Sequence, residues 1–170
     1  MKPDMSLEEI GQLVSRLKLG QIRLLEAHGK LGTITAGKLP DNAHQEMNLN
    51  TTLDKKKKSI QVIATYNVTA AYEPSESIQE DAPIFVRGKF LLQYEYTGDG
   101  QLDRLIKAMQ ATAIMNSWPF WRELVHSLTV RMGVPPFPVP LVNLSELVDQ
   151  GVTKPKPVTR KLAAKAARQR

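Results

Sequence analysis

The chain has 170 residues, enough for one well-buried core and a single domain, and no cysteine, which excludes a disulfide framework, a thiol nucleophile and a cysteine-based zinc site. Its formal charge is +6, but the excess lies at one end: residues 151–170 hold seven basic groups and no acid, leaving 16 basic against 17 acidic groups before them. The start of the chain carries acids and no apolar run of signal length, and no stretch is long enough to span a bilayer, so a soluble cytoplasmic protein is expected.

Ser6 with Glu9 three residues later is a capping-box pattern, and Leu7, Ile10, Leu13, Val14 and Leu17 make a helical apolar stripe that Gly20 closes. From Gln21 to Thr35 apolar residues alternate, with one change of phase at Leu24 and Leu25 that predicts a strand with a bulge. Asn42 to Leu53 alternates again, with Ala43, Met47, Leu49 and Leu53 on one side, and Asp54 with Lys55 to Lys58 makes the following turn. Ile60, Val62, Ala64, Tyr66, Val68, Ala70 and Tyr72 occupy every even position of a third, half-buried strand. After an acidic loop from Pro74 to Pro83, Ile84, Val86, Phe90, Leu92, Tyr94 and Tyr96 repeat that pattern until Gly98.

Leu102, Leu105, Ile106, Met109, Ala113 and Ile114 then form a helical stripe. A second amphipathic helix is predicted to follow, with Ser117 as its cap and Pro119 in its first turn, where a missing N–H leaves no bond unmade. Trp118, Trp121, Leu124, Val125, Leu128 and Met132 share one stripe of it, and Arg122, Glu123, His126 and Ser127 face away. Gly133 ends the helix. Val134 to Leu141 carries four prolines and must run extended.

The order helix, four strands, two helices, tail predicts an α+β fold: a four-stranded antiparallel meander followed by two helices covering one face, with a short N-terminal helix. One domain over residues 1–150 and a basic, disordered tail over 151–170 are expected. A thirteen-residue strand is about 43 Å long, as long as the whole subunit, so long sheet edges and assembly through edges or covering helices are expected.

The run Pro119, Phe120, Arg122, Glu123, Val125, Arg131, Val134, Pro135, Phe137, Val139, Val142 and Asn143 resembles the motif of the SecB family of export chaperones, with Leu141 and Leu144 as mild departures. The resemblance covers Ser117 to Leu147. It implies the same order of four strands and two helices, a homotetramer built as a dimer of dimers, and an ATP-independent holding function for unfolded polypeptide clients. Those clients would be secretory precursors passed to the SecA motor or, in the toxin–antitoxin branch, an unstable antitoxin. The family's motor docks on an acidic sheet surface, which the basic turn and tail of this chain oppose.

The candidate client-binding residues are Trp118, Phe120, Trp121, Met132, Phe137, Val139 and Leu141, read as walls of an apolar groove stiffened by proline. Pro119, Arg122, Glu123, Arg131, Pro135 and Asn143 are read as structural motif residues, Arg122 anchoring a neighbouring element. The bland alternative places both tryptophans in the core. No enzyme is indicated: phosphate loop, nucleophile elbow and dinucleotide fingerprint are all missing, and His28, His44 and His126 are dispersed, so no metal or other cofactor is expected. A nucleic-acid-binding module using the lysine run and tail is the competing reading. The tyrosines, however, share a face with Ile and Val rather than with basic residues, leaving polyanion contact to the tail.

Overall fold

The computed structural model describes residues 6–35, 38–74, 77–98 and 102–139. Helix α1, Leu7–Val14, begins with the predicted capping box: the Glu9 N–H donates to Ser6 Oγ (3.2 Å) and the Ser6 N–H to Glu9 Oε2 (2.8 Å). That backbone hydrogen bond, joined by the Ser6 hydroxyl, holds the Glu9 carboxyl below the usual carboxylate range. Ile10 and Leu13 are buried. The helix stops before the predicted Gly20: Leu17 already opens strand β1, Leu17–Leu31, and packs on the core from there.

Strands β2 (Asn42–Asp54), β3 (Ser59–Ala71) and β4 (Ile84–Tyr96) complete one antiparallel sheet in the order β1-β4-β3-β2. The expected meander holds only for β2, β3 and β4. Residues 32–41 carry the chain from β1 to the far edge, so β1 lies beside β4 and the sheet is a Greek key. The predicted bulge is present: the β1–β4 register shifts between Leu24 and Glu26, and a second shift lies between Leu19 and Gln21. At the β2–β3 turn, Asp54 Oδ1 accepts the N–H groups of Lys56 and Lys57.

The even positions of β3 and β4 form the inner face. Ile60, Val62, Ala64, Tyr66, Val68, Val86, Phe90, Leu92, Tyr94 and Tyr96 are all buried there. One element covers them. Where two helices were predicted, a single helix α2 runs from Leu102 to Arg131, and Pro119 lies inside it. At 1.5 Å per residue it is about 45 Å long, matching the strands.

Ser117 is therefore not a cap. Its hydroxyl donates back to the Ala113 carbonyl (2.6 Å) and meets the Tyr66 hydroxyl at 2.7 Å, fixing the helix to β3 one turn before the proline. Pro119 lacks the N–H that would bond the Met115 carbonyl, and Met115 is on the exposed side of the helix, where water satisfies such groups. Leu105, Met109, Ala113, Trp121 and Val125 bury the other side.

Trp121 and Leu124 reach the sheet at Gly88. A Cβ there would lie 2.8 Å from Leu124 Cδ2 and 3.1 Å from the Trp121 ring, so only glycine allows this approach. The helix ends in a Schellman motif: Gly133 (φ +76°) donates to the Val130 carbonyl and Val134 to the Thr129 carbonyl.

Candidate functional site

The proline-rich segment after α2 turns back along the helix. The Phe137 N–H donates to Thr129 Oγ1 (3.3 Å), and Arg122 Nε donates to the Val139 carbonyl (3.2 Å), so two helical side chains about two turns apart hold the segment down. Val134 and Val139 are buried, whereas the sequence reading left Val139 on an open groove wall. Proline stiffens this segment but does not keep it off the core, because Thr129 and Arg122 satisfy its backbone polar groups as it packs.

The predicted client-binding residues thus separate. Trp121 is 0% exposed, stacked on Tyr66 with ring centroids 5.4 Å apart, and its Nε1 has no hydrogen-bond partner among the described residues. Such a residue belongs to the core. Trp118 stands edge-on to the same Tyr66 ring (5.5 Å) and is only partly buried, as are Met132 and Phe137. Phe120 points away from the sheet and is 52% exposed. Arg122, Glu123, Arg131, Pro119 and Pro135 are exposed, while Leu141 and Asn143 lie outside the described residues, as does the expected boundary near Gly151.

Burial raises the Tyr66 phenol well above its ordinary range despite the opposing Ser117 hydrogen bond. Burial likewise pushes Tyr94 up to about 12, opposed by its hydrogen bond from Asn116. Both therefore remain neutral at physiological pH and serve as packing surfaces.

Two apolar surfaces that the sequence reading left out of the site now stand beside it. On the inner face of edge strand β2, Met47, Leu49 and Leu53 pair with Tyr66, Ala64 and Ile60 and are only partly buried. Met47 and Trp118 thus flank the same tyrosine, at a strand edge whose outer side has no partner among the described residues. The alternation of β2 was visible in the sequence; its place at the edge was not. On the other edge, Leu19, Leu24 and Leu31 of β1 face inward opposite Tyr94, Phe90 and Ile84, yet they are exposed, because they lie beyond the cover of α2. An unpaired edge with apolar side chains on one face can take up an extended chain by main-chain hydrogen bonds.

The outer face differs in chemistry. β2 and β3 present Asn48, Asn50, Thr52, Gln61, Thr65 and Asn67 there, and β1 and β4 present Lys18, Arg23, Lys30, Arg87 and Lys89 against Glu26 and Glu95. Lys89 pairs with Glu26 (3.2 Å) and Arg87 with Glu80 of the preceding loop. Among the described residues there is no group of three potential metal ligands, and no helix is long and apolar enough to cross a membrane.

The chain shares its architecture with the SecB-like chaperone Rv1957 of Mycobacterium tuberculosis, solved in complex with a ChAD peptide from the Rv1956 HigA1 antitoxin. The likeness has a TM-score of 0.61 at 17% identity and covers 78% of this chain and 92% of that one. The fold is SecB-like. A protein of unknown function from Streptococcus agalactiae is similar over 74% of this chain and 97% of that one, at 11% identity, but its TM-score of 0.41 is too low to weigh. No protein-family model matches the chain, and no curated protein matches it in sequence.

Proposed function

We propose that this protein is an ATP-independent holding chaperone that binds unfolded polypeptides in extended form. The observation that carries this reading is the row Met47, Leu49 and Leu53 beside Trp118 at the open edge of β2: apolar side chains for shape-tolerant contact, next to backbone groups that can pair with any sequence. Phe120 and Phe137 extend the apolar surface along α2 and the segment that follows it. The fold shared with a SecB-like chaperone supports the same reading.

The opposite edge serves assembly in this proposal. Two copies pairing antiparallel through β1 would cover Leu19, Leu24, Leu25 and Leu31, and a dimer of dimers follows from the SecB resemblance. Light scattering with a reduced, unfolded client tests both parts. A stable monomer at micromolar concentration would overturn the assembly, and failure to suppress client aggregation would overturn the chaperone reading.

Between the two client classes, the outer sheet face favours an antitoxin over SecA delivery of secretory precursors. An acidic docking surface is what the family offers its motor, and here β1 and β4 carry five cations against two carboxylates. Binding of purified SecA to this face, abolished by reversing Lys18 and Arg23, would restore the export reading. The nucleic-acid module has less support, because the one phenyl group on the outer face, Phe85, is buried and offers no stacking platform.

A further inference from the structure

A cavity of about 260 Å³ lies between α1, the start of β1 and the first turn of α2, lined by Glu9, Gln12, Leu13, Arg16 and Arg104. We propose that it is a phosphate-binding site. Arg16 is held in place rather than solvated freely: its Nε donates to the Thr97 carbonyl (3.0 Å), and its Nη2 lies 2.6 Å from where a Cβ on Gly98 would sit. Gly98 has φ +82°, so a side chain there would be both strained and in collision with the guanidinium. The outer N–H groups of Arg16, on Nη1 and Nη2, make no hydrogen bond to any described residue.

The second guanidinium, Arg104, reaches Glu9 Oε1 at 3.5 Å. Glu9 brings one negative charge to two guanidinium groups, and its Oε2 also accepts the Ser6 N–H. Among the described residues the lining sets two guanidinium groups against the single carboxylate of Glu9, with the neutral amide of Gln12 beside them, a donor set that tetrahedral oxyanions take. Across the end of β4 lies the lysine turn: Thr97 donates to the Arg16 carbonyl and Tyr96 to the Lys58 carbonyl. Arg16 and Lys58 therefore flank one strand end, about 10 Å apart. Lys58 itself sits at φ 47°, in the left-handed region that glycine and asparagine favour. The added field favours a dianion over a carboxylate. At 260 Å³ the cavity is below the roughly 300 Å³ at which pockets for drug-sized ligands begin, so the ligand is a phosphate with little attached.

Nuclear magnetic resonance titration of the full chain at constant ionic strength, with inorganic phosphate and separately with adenosine monophosphate replacing chloride, decides the matter. Saturable shifts at Arg16 Nε, Gly98 and Arg104 are expected. Arg104→Gln, whose side chain makes only an exposed ion pair, should weaken them about ten-fold, the worth of one charge-assisted hydrogen bond. Glu9→Gln keeps an acceptor for Ser6 but removes the negative charge, and should strengthen binding, an effect no purely structural role produces. A nucleotide that binds no more tightly than phosphate supports a site for phosphate with little attached, and tighter binding of the nucleotide would overturn that size limit. Shifts confined to Lys55 to Lys58, loss of binding when Lys55 to Lys57 become Gln, or a linear response without saturation would each overturn the site.

Discussion

Gly88 lies directly opposite Tyr66 in the β3–β4 ladder, and the Trp121 ring that stacks on Tyr66 also fills the space above Gly88. The helix packs tightly on the sheet at this point, so the fold is sensitive here to a single added or removed group.

Gly88→Ala should destabilise the protein by about 1–3 kcal/mol, because the new methyl would overlap Leu124 Cδ2 at 2.8 Å in a packed core. Trp121→Ala, which leaves a cavity at the same place, should cost about 3–5 kcal/mol. Denaturant melts of both variants check the pair. A Gly88→Ala protein as stable as the parent would mean that α2 can lift from the sheet there.

Client binding should respond to a different set of residues. Phe120→Ala removes an exposed ring and should leave the melting midpoint within about 0.5 kcal/mol of the parent while weakening the holding of an unfolded client. Trp118→Ala should lower both, since Trp118 packs on Tyr66 yet remains partly open. Equal client affinity in the parent and in both variants would show that the surface has been misplaced.

The buried phenols set an alkaline limit on stability. Tyr94 ionises near 10 when unfolded and near 12 when folded, so the unfolded chain sheds its proton first as pH rises. Its contribution is complete below pH 10 and is lost between about pH 10 and 12. The expected result is a melting temperature that falls across that window, with a shallower fall in Tyr94→Phe. Ultraviolet titration should show Tyr66 and Tyr94 ionising in step with unfolding rather than ahead of it.

Truncation after Asp149 should leave folding, assembly and client holding intact, since the apolar periodicity that the sequence assigns to the core does not extend beyond Val148. The loss should be confined to salt-sensitive polyanion contact. With seven basic groups in 151–170, the slope of log affinity against log salt should be no steeper than about −6. An unchanged slope after truncation would show that the tail takes no part.

Much of this fold was legible wherever local chemistry decides it. The capping box at Ser6 and Glu9, the bulge at Leu24 and Leu25, and the even-position cores of β3 and β4 each follow from side chains within a few residues of one another. The continuity of α2 was not legible, because Ser117 followed by Pro119 has the same local form whether it starts a helix or sits inside one. The deciding contact is the Tyr66 hydroxyl, 51 residues away in sequence, which draws Ser117 into the core. Distance along the chain also hid the place of β1 beside β4 and the burial of Val139, which depends on Arg122 and Thr129 receiving the returning backbone. The candidate surface was therefore half visible: the sequence marks Trp118, Phe120 and Phe137, and only the sheet order brings the β2 edge to them.

The two bulges in β1 also bear on why an edge so rich in leucine need not drive open-ended polymerisation. Each bulge breaks the even spacing of backbone donors and adds local twist, so an arbitrary flat strand finds only short matching stretches along it. A second copy turned by a two-fold axis brings a strand of the same irregular shape. In such a pair each β1 would be satisfied by the other and no further edge of that kind would be left, so growth by this contact would stop at two.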